Sequence, residues 1–66
     1  MTTPADILRR ARELVGPYCS EYTAMSVAMK EAVRLTQEAA AHAYDLFVIQ
    51  DQSLDRAIAA AEREEQ

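Results

Sequence analysis

The chain has 66 residues, a formal net charge of −4 at pH 7, and one cysteine and one histidine. Its length indicates one small soluble domain, in the size range where a single hydrophobic core is barely sufficient and a second subunit often adds stability. One thiol excludes an intrachain disulfide, and one histidine with one cysteine does not make the usual ligand set of a zinc site. We therefore expect a homo-oligomer, with no cofactor and no bound metal.

A first helix is predicted over residues 4–15. Thr3 can cap it, Pro4 suits its first position, and Asp6 lies in the first turn, where the helix dipole favours a carboxylate. Gly16 and Pro17 end it, because glycine accepts the left-handed cap and the residue before proline resists the helical region. The apolar residues of this segment recur at spacings of three and four and predict one buried stripe. They are Ile7, Leu8, Ala11, Leu14 and Val15.

The longest predicted element is a central helix over residues 19–50, which begins between residues 17 and 20 and can be capped by Ser20. No glycine or proline follows Pro17 in the sequence. Apolar and small residues in alternating steps of four and three then predict a heptad seam of about four repeats, rich in alanine at its centre. Apolar neighbours widen the seam to about half of the helix surface, which is more than one partner helix covers.

A last helix is predicted over residues 53–64, after a turn at residues 51–53. Ser53 or Asp51 can cap it, and its buried stripe is predicted to be Leu54, Ala57, Ile58 and Ala61. The alternative is one uninterrupted helix from about residue 20 to 64. That helix would span roughly 65 Å and would need a partner along its whole length.

The sequence thus predicts an all-α protein forming a single domain over residues 1–66, with a short helix, a long central helix and a short C-terminal helix in a homodimeric bundle. The two short helices would lie in line along one flank of the long helix, which leaves the alanine-rich seam for a second copy or for a different protein. The residues predicted to form this dimer or partner interface are Tyr22, Met25, Met29, Ala32, Ala39, Ala43, Tyr44, Phe47, Val48 and Ile49.

No residue is predicted to be catalytic. His42 has Glu38 and Asp45 within one helical turn, but such neighbours are common on charged helix faces, and we interpret it as a solvated surface histidine. Cys19 lies near a helix start, where the dipole favours the thiolate, yet no base stands beside it in sequence. We interpret it as a small packed side chain and expect no enzyme activity.

The charge and hydropathy of the chain also bear on its partners and its compartment. An isoelectric point near 4.8 argues against nucleic acid as the main partner. No apolar run approaches the ~20 residues of a membrane span, and the N-terminal residues do not resemble a signal peptide. We therefore expect a cytoplasmic protein that binds no membrane.

The function that the sequence favours is a non-catalytic protein-interaction module. It would be a homodimeric regulator, inhibitor or adaptor that binds a larger protein through an apolar helix face. One alternative is a small nucleic-acid-associated regulator that uses paired copies of Arg9, Arg10 and Arg12. Another is a co-chaperone or a subunit of a larger assembly.

Overall fold

The computed structural model describes residues 2–65, and its elements in this range are all helical, as the sequence predicts. The four helices are α1 (Pro4–Leu14), α2 (Glu21–Val33), α3 (Gln37–Ile49) and α4 (Leu54–Glu64). They form a compact body of 32 × 24 × 16 Å.

The start of α1 is fixed by a reciprocal pair of hydrogen bonds. The backbone N–H of Asp6 donates to the Thr3 hydroxyl at 3.2 Å, and the backbone N–H of Thr3 donates to the Asp6 carboxylate at 3.0 Å. Two backbone donors that the helix leaves unpaired are thereby satisfied. Because the ionised carboxylate accepts this bond more strongly than the neutral acid does, the Thr3 backbone N–H holds the pKa of Asp6 below its ordinary value, and Arg9 adds to this effect.

The predicted continuous helix over residues 19–50 is wrong, as is the longer alternative to residue 64. α2 ends at Val33, and Thr36 has extended backbone with φ −157° and ψ 107°. Its hydroxyl accepts a hydrogen bond from the backbone N–H of Ala39 at 3.3 Å, so Thr36 caps a new helix. The backbone N–H groups of Leu35 and Thr36 both donate to the carbonyl of Ala32 at 2.9 Å and close the end of α2.

The turn between α3 and α4 lies at the predicted position. Asp51 and Gln52 both take the left-handed conformation, with φ 56° and 59°. The backbone N–H of Gln52 donates to the carbonyl of Phe47 at 2.8 Å, which satisfies a terminal carbonyl of α3. Ser53 then caps α4, because its hydroxyl accepts from the backbone N–H of Arg56 at 3.4 Å.

The break at residues 34–36 changes the architecture. The predicted arrangement, with two short helices in line along one flank of a long one, is replaced by four short helices around one core. α1 contacts the other three helices, and α3 also contacts both α2 and α4. This arrangement places α2 and α4 on opposite sides of the α1–α3 pair.

All four helices contribute to the core of the described residues. Its largest fully buried side chains are Phe47, Leu8, Met25 and Leu54. Ile7, Leu46 and alanines fill the rest, and the small alanine side chains let the helix axes approach closely. The buried alanines are Ala5, Ala11, Ala24, Ala28, Ala32, Ala39, Ala40, Ala43, Ala57 and Ala61. The alanine-rich seam is thus buried within one chain.

Candidate protein-binding face

The ten residues predicted to form an interface divide into a buried and an exposed group. Buried in the single chain are Met25, Ala32, Ala39, Ala43 and Phe47, and Met29 is half-buried against the same core. The exposed members are Tyr22 at 57 %, Tyr44 at 38 %, Val48 at 47 % and Ile49 at 71 %. The first group serves the fold of one chain, and the exposed group remains at the surface of that chain.

The connection between α2 and α3 brings exposed residues from distant parts of the sequence together. Short connections such as residues 34–36 commonly join two helices as an antiparallel hairpin, and we place α2 and α3 in this arrangement. The first turn of α2, which contains Tyr22, therefore lies beside the last turn of α3, which contains Val48 and Ile49. In the middle of the hairpin, Met29 of α2 lies at about the level of Ala41 of α3.

The helical period shows which side of α2 these residues occupy. At about 100° per residue, Tyr22, Met29 and Val33 fall within one narrow arc. Glu31 lies on the other side of the buried stripe, where its carboxylate pairs with Arg10 of α1 at 3.2 Å. Because α2 lies between α1 and α3, the arc of Tyr22 and Val33 borders α3.

The same argument orients α3. Tyr44 and Val48 fall within about 40° of each other. His42 lies on the opposite flank, where its Nε2 is 2.6 Å from Oε1 of Glu64 in α4. Since α3 lies between α2 and α4, Tyr44 and Val48 border α2. We call the apolar residues on these adjoining sides of the two helices, Tyr22, Met29, Val33, Tyr44 and Val48, the α2–α3 face.

Two charged side chains border the α2–α3 face. Lys30 points directly away from the buried stripe of α2, and Asp45 points directly away from that of α3. Both residues are exposed. Neither takes part in the ion pairs within residues 2–65. The face therefore has a basic edge on α2 and an acidic edge on α3.

The three arginines of α1 are each paired with a carboxylate of another helix. Arg9 reaches Glu62 of α4 at 2.9 Å, and Arg12 reaches Asp55 of α4 at 3.2 Å. Arg10 is paired with Glu31 of α2, as described above. The hydrogen bond from Arg9 to Glu62 and their opposite charges raise the pKa of Arg9 above its ordinary value. Each guanidinium group already has a carboxylate partner on a neighbouring helix, so a phosphate would have to compete with these carboxylates.

His42 and Cys19 lie in different parts of the fold and contact different residues. The imidazole of His42 contacts Glu64, a residue that sequence reasoning did not connect with it, rather than Glu38 or Asp45. Cys19 is half-buried in the loop before α2, where its backbone pairs with that of Gly16. Within residues 2–65, no group of three or more His, Cys, Asp or Glu side chains is arranged to hold a metal ion.

An open groove of about 590 Å³ lies between the start of α1 and the start of α3. Leu35, Glu38 and His42 contribute to its walls, together with residues 2–4. A site for a small molecule normally encloses most of its ligand between fixed polar groups. This groove is a shallow depression beside an exposed leucine, so it is a weaker candidate than the α2–α3 face.

Among the helices formed by residues 2–65, none has the length and apolar character required to cross a lipid bilayer.

The chain matches no known family model, no curated protein and no solved structure. Its function must therefore be inferred from the geometry of its own residues.

Within the described residues, sequence reasoning left four large exposed apolar residues out of the predicted interface, one of which, Val27, is 39 % exposed on α2. Val33 is 44 % exposed at the end of α2, Leu35 is 77 % exposed in the following loop, and Tyr18 is fully exposed before α2. The available signal was Thr36, a helix-capping residue type in the middle of an otherwise apolar seam. Because Thr36 caps α3, α2 ends at Val33, and Val33 and Leu35 then lie at the surface.

Proposed function

We propose that this chain is a non-catalytic protein-interaction module, a small regulator, inhibitor or adaptor that binds another protein chain through the α2–α3 face. The observation that carries the proposal is the exposure of Tyr22, Val33, Tyr44 and Val48 on two adjacent helices. A contiguous apolar surface is costly to leave in water, and aromatic residues at its centre are typical of protein interfaces. The single cysteine favours a reducing compartment, so the proposal locates the chain in the cytoplasm.

Site-specific photo-crosslinking in the cells that express the chain tests this proposal. A benzophenone amino acid replaces Val48 on the α2–α3 face or, as the matched control, Ala59 on the exposed side of α4. We expect discrete protein adducts from position 48 and none from position 59. A second substitution, Tyr44→Lys, should abolish the adducts while the circular dichroism spectrum stays helical. Equal adducts from both positions, or none from position 48, would contradict the proposal.

The nucleic-acid alternative receives less support from the geometry. It requires Arg9, Arg10 and Arg12 to face phosphates, whereas each is paired with a carboxylate of a neighbouring helix. The co-chaperone or subunit alternative is less favoured for a different reason. A chain that folds only in a larger assembly would lack a core of its own, whereas here all four helices bury apolar residues together.

A further inference from the structure

The charges beside the α2–α3 face suggest which protein covers it. Viewed from outside, the face has Lys30 along its α2 edge and Asp45 along its α3 edge, with the apolar residues between them. A rotation by 180° about an axis parallel to the two helices exchanges the edges. The basic edge of one such surface then lies over the acidic edge of the other, which is the self-complementarity that a two-fold interface requires.

We propose that a second copy of this chain occupies the α2–α3 face and forms a two-fold symmetric dimer. This inference rests on the proposed function, namely that the face binds protein, and it names the partner. α2 of each copy packs against α3 of the other. Tyr22, Tyr44 and Val48 leave water between the two charged edges, where Lys30 of each copy faces Asp45 of its partner.

Along the helix axis, Lys30 and the partner's Asp45 are offset by about five residues, or ~7 Å. A lysine side chain is long and flexible enough to bridge this offset. The pair stands at the rim of the interface rather than in its centre, so it contributes mainly to the choice and orientation of the partner. The apolar centre provides the larger part of the affinity.

The size of the face bears on whether the dimer is permanent. Two helices of about four turns, side by side, present a surface of roughly 20 Å by 20 Å. A standard stable interface buries about 800 Å² of accessible surface on each partner. The α2–α3 face lies at or below this size, so the dimer is expected to dissociate on dilution rather than to be permanent.

The same two-fold axis leaves a part of the apolar surface free. The loop before α2 and the loop after α3 lie at the same end of the hairpin. Because the two-fold axis is parallel to the helices, these loops of both copies lie at the same end of the dimer. Tyr18, which is fully exposed, and Ile49, which is 71 % exposed, remain in solvent there on both copies. The dimer therefore retains an apolar end with which to contact a different protein.

A charge-exchange experiment tests the proposed dimer. Lys30→Glu and Asp45→Lys are prepared separately, and sedimentation velocity is recorded over a dilution series for each variant and for an equimolar mixture. Each variant alone places two pairs of like charges across its own interface, so its dimer dissociation constant should rise about tenfold. The mixture should recover the wild-type constant, because the heterodimer has opposite charges at both positions.

Control variants change the net charge by the same amounts at other exposed sites. Arg56→Glu on α4 matches Lys30→Glu, and Glu65→Lys at the end of α4 matches Asp45→Lys. Neither control should change dimerisation, alone or mixed. Circular dichroism on every variant shows that the helical fold is kept.

Three outcomes would overturn the proposed dimer. They are a monomer at every concentration, a dimer that ignores both charge reversals, and a mixture that does not recover. The proposed function fails separately, by the absence of any adduct from position 48. An adduct with a different protein alone, from a monomeric chain, would keep the proposed function and reject the dimer.

Discussion

The outer helices of the chain, α1 and α4, differ from the central pair, α2 and α3, in what they expose to solvent. Within residues 2–65, the large apolar side chains at the surface belong to α2, α3 and the two loops that flank α2. α1 and α4 instead meet solvent with charged residues, and two of their ion pairs, Arg9–Glu62 and Arg12–Asp55, connect the two helices to each other.

Both pairs of helices bury apolar residues in the same core, so folding alone does not explain this difference. The exposed surface of α1 and α4 carries charged side chains, which are well solvated by water. On α2 and α3 the core is filled by Met25, Leu46, Phe47 and alanines, and the exposed aromatic and branched residues lie outside it. This difference between the two pairs of helices is what supports the proposed protein-binding role of the α2–α3 face.

The largest expected effect separates the two sides of α3. Ala43 is completely buried at the centre of the core, whereas Ala41 is exposed on the same helix. Ala43→Glu should lower the free energy of unfolding by about 4 kcal/mol, since it buries an unpaired charge, and a domain of this size would then be largely unfolded. Ala41→Glu should leave the melting curve of the dilute chain nearly unchanged. Similar losses from both substitutions, measured by thermal circular dichroism, would mean that the two sides of α3 are wrongly assigned.

The second expected effect concerns the break that separates α2 from α3. Thr36→Ala removes the hydroxyl that accepts the Ala39 N–H, and it should lower the free energy of unfolding by about 1 kcal/mol. Thr36→Ser keeps the acceptor and serves as the matched control, with an expected change close to zero. Urea titrations of both variants measure the difference. An alanine variant as stable as wild type would mean that the hairpin does not depend on this cap.

The same residue shows how far the sequence determines the fold. The caps at Thr3, Ser20 and Ser53 were predictable because each stands at the edge of an apolar pattern and near a change in helix-forming residues. Thr36 occupies a position within the heptad steps, where threonine also occurs inside helices. The local sequence around Thr36 is compatible both with a helix break and with a continuous helix. Tertiary packing favours the break, because a chain that folds back on itself buries its own alanines.

The residue types of the candidate site were also predictable from the sequence, whereas the separation of buried from exposed members depends on the fold. Tyr22, Tyr44, Val48 and Ile49 were predictable as interface residues from their type and spacing alone. Their separation from Met25, Ala32, Ala43 and Phe47 was not, because one continuous helix exposes a single wide stripe, whereas a hairpin buries one part of that stripe and leaves the other outside. The pairing of Arg9, Arg10 and Arg12 also depends on helix contacts that the sequence pattern does not specify.

A smaller expected effect is the pH dependence contributed by the start of α1. The pKa of Asp6 is lowered in the folded chain by the Thr3 backbone N–H. A carboxyl group whose pKa is lowered by folding stabilises the folded state at pH values above its ordinary pKa, near 4. This stabilisation is lost as the pH falls through the pKa of the group in the folded chain. Asp6→Asn should therefore reduce the loss of stability between pH 5 and about pH 3. An unchanged acid transition in this variant, followed by circular dichroism, would show that Asp6 is not linked to folding.

The smallest expected effect tests the charged contact between α1 and α4. Arg9 and Glu62 are both about half exposed, so solvent screens their attraction and ordering two long side chains offsets part of the gain. A double-mutant cycle with Arg9→Ala and Glu62→Ala should give a coupling energy below the effect of Thr36→Ala and should lose it in high salt. A large coupling that survives salt would instead give this charged surface a structural role comparable to a helix cap. A small coupling would mean that α1 and α4 are held together mainly by buried residues such as Leu8 and Leu54 rather than by the charges on their surfaces.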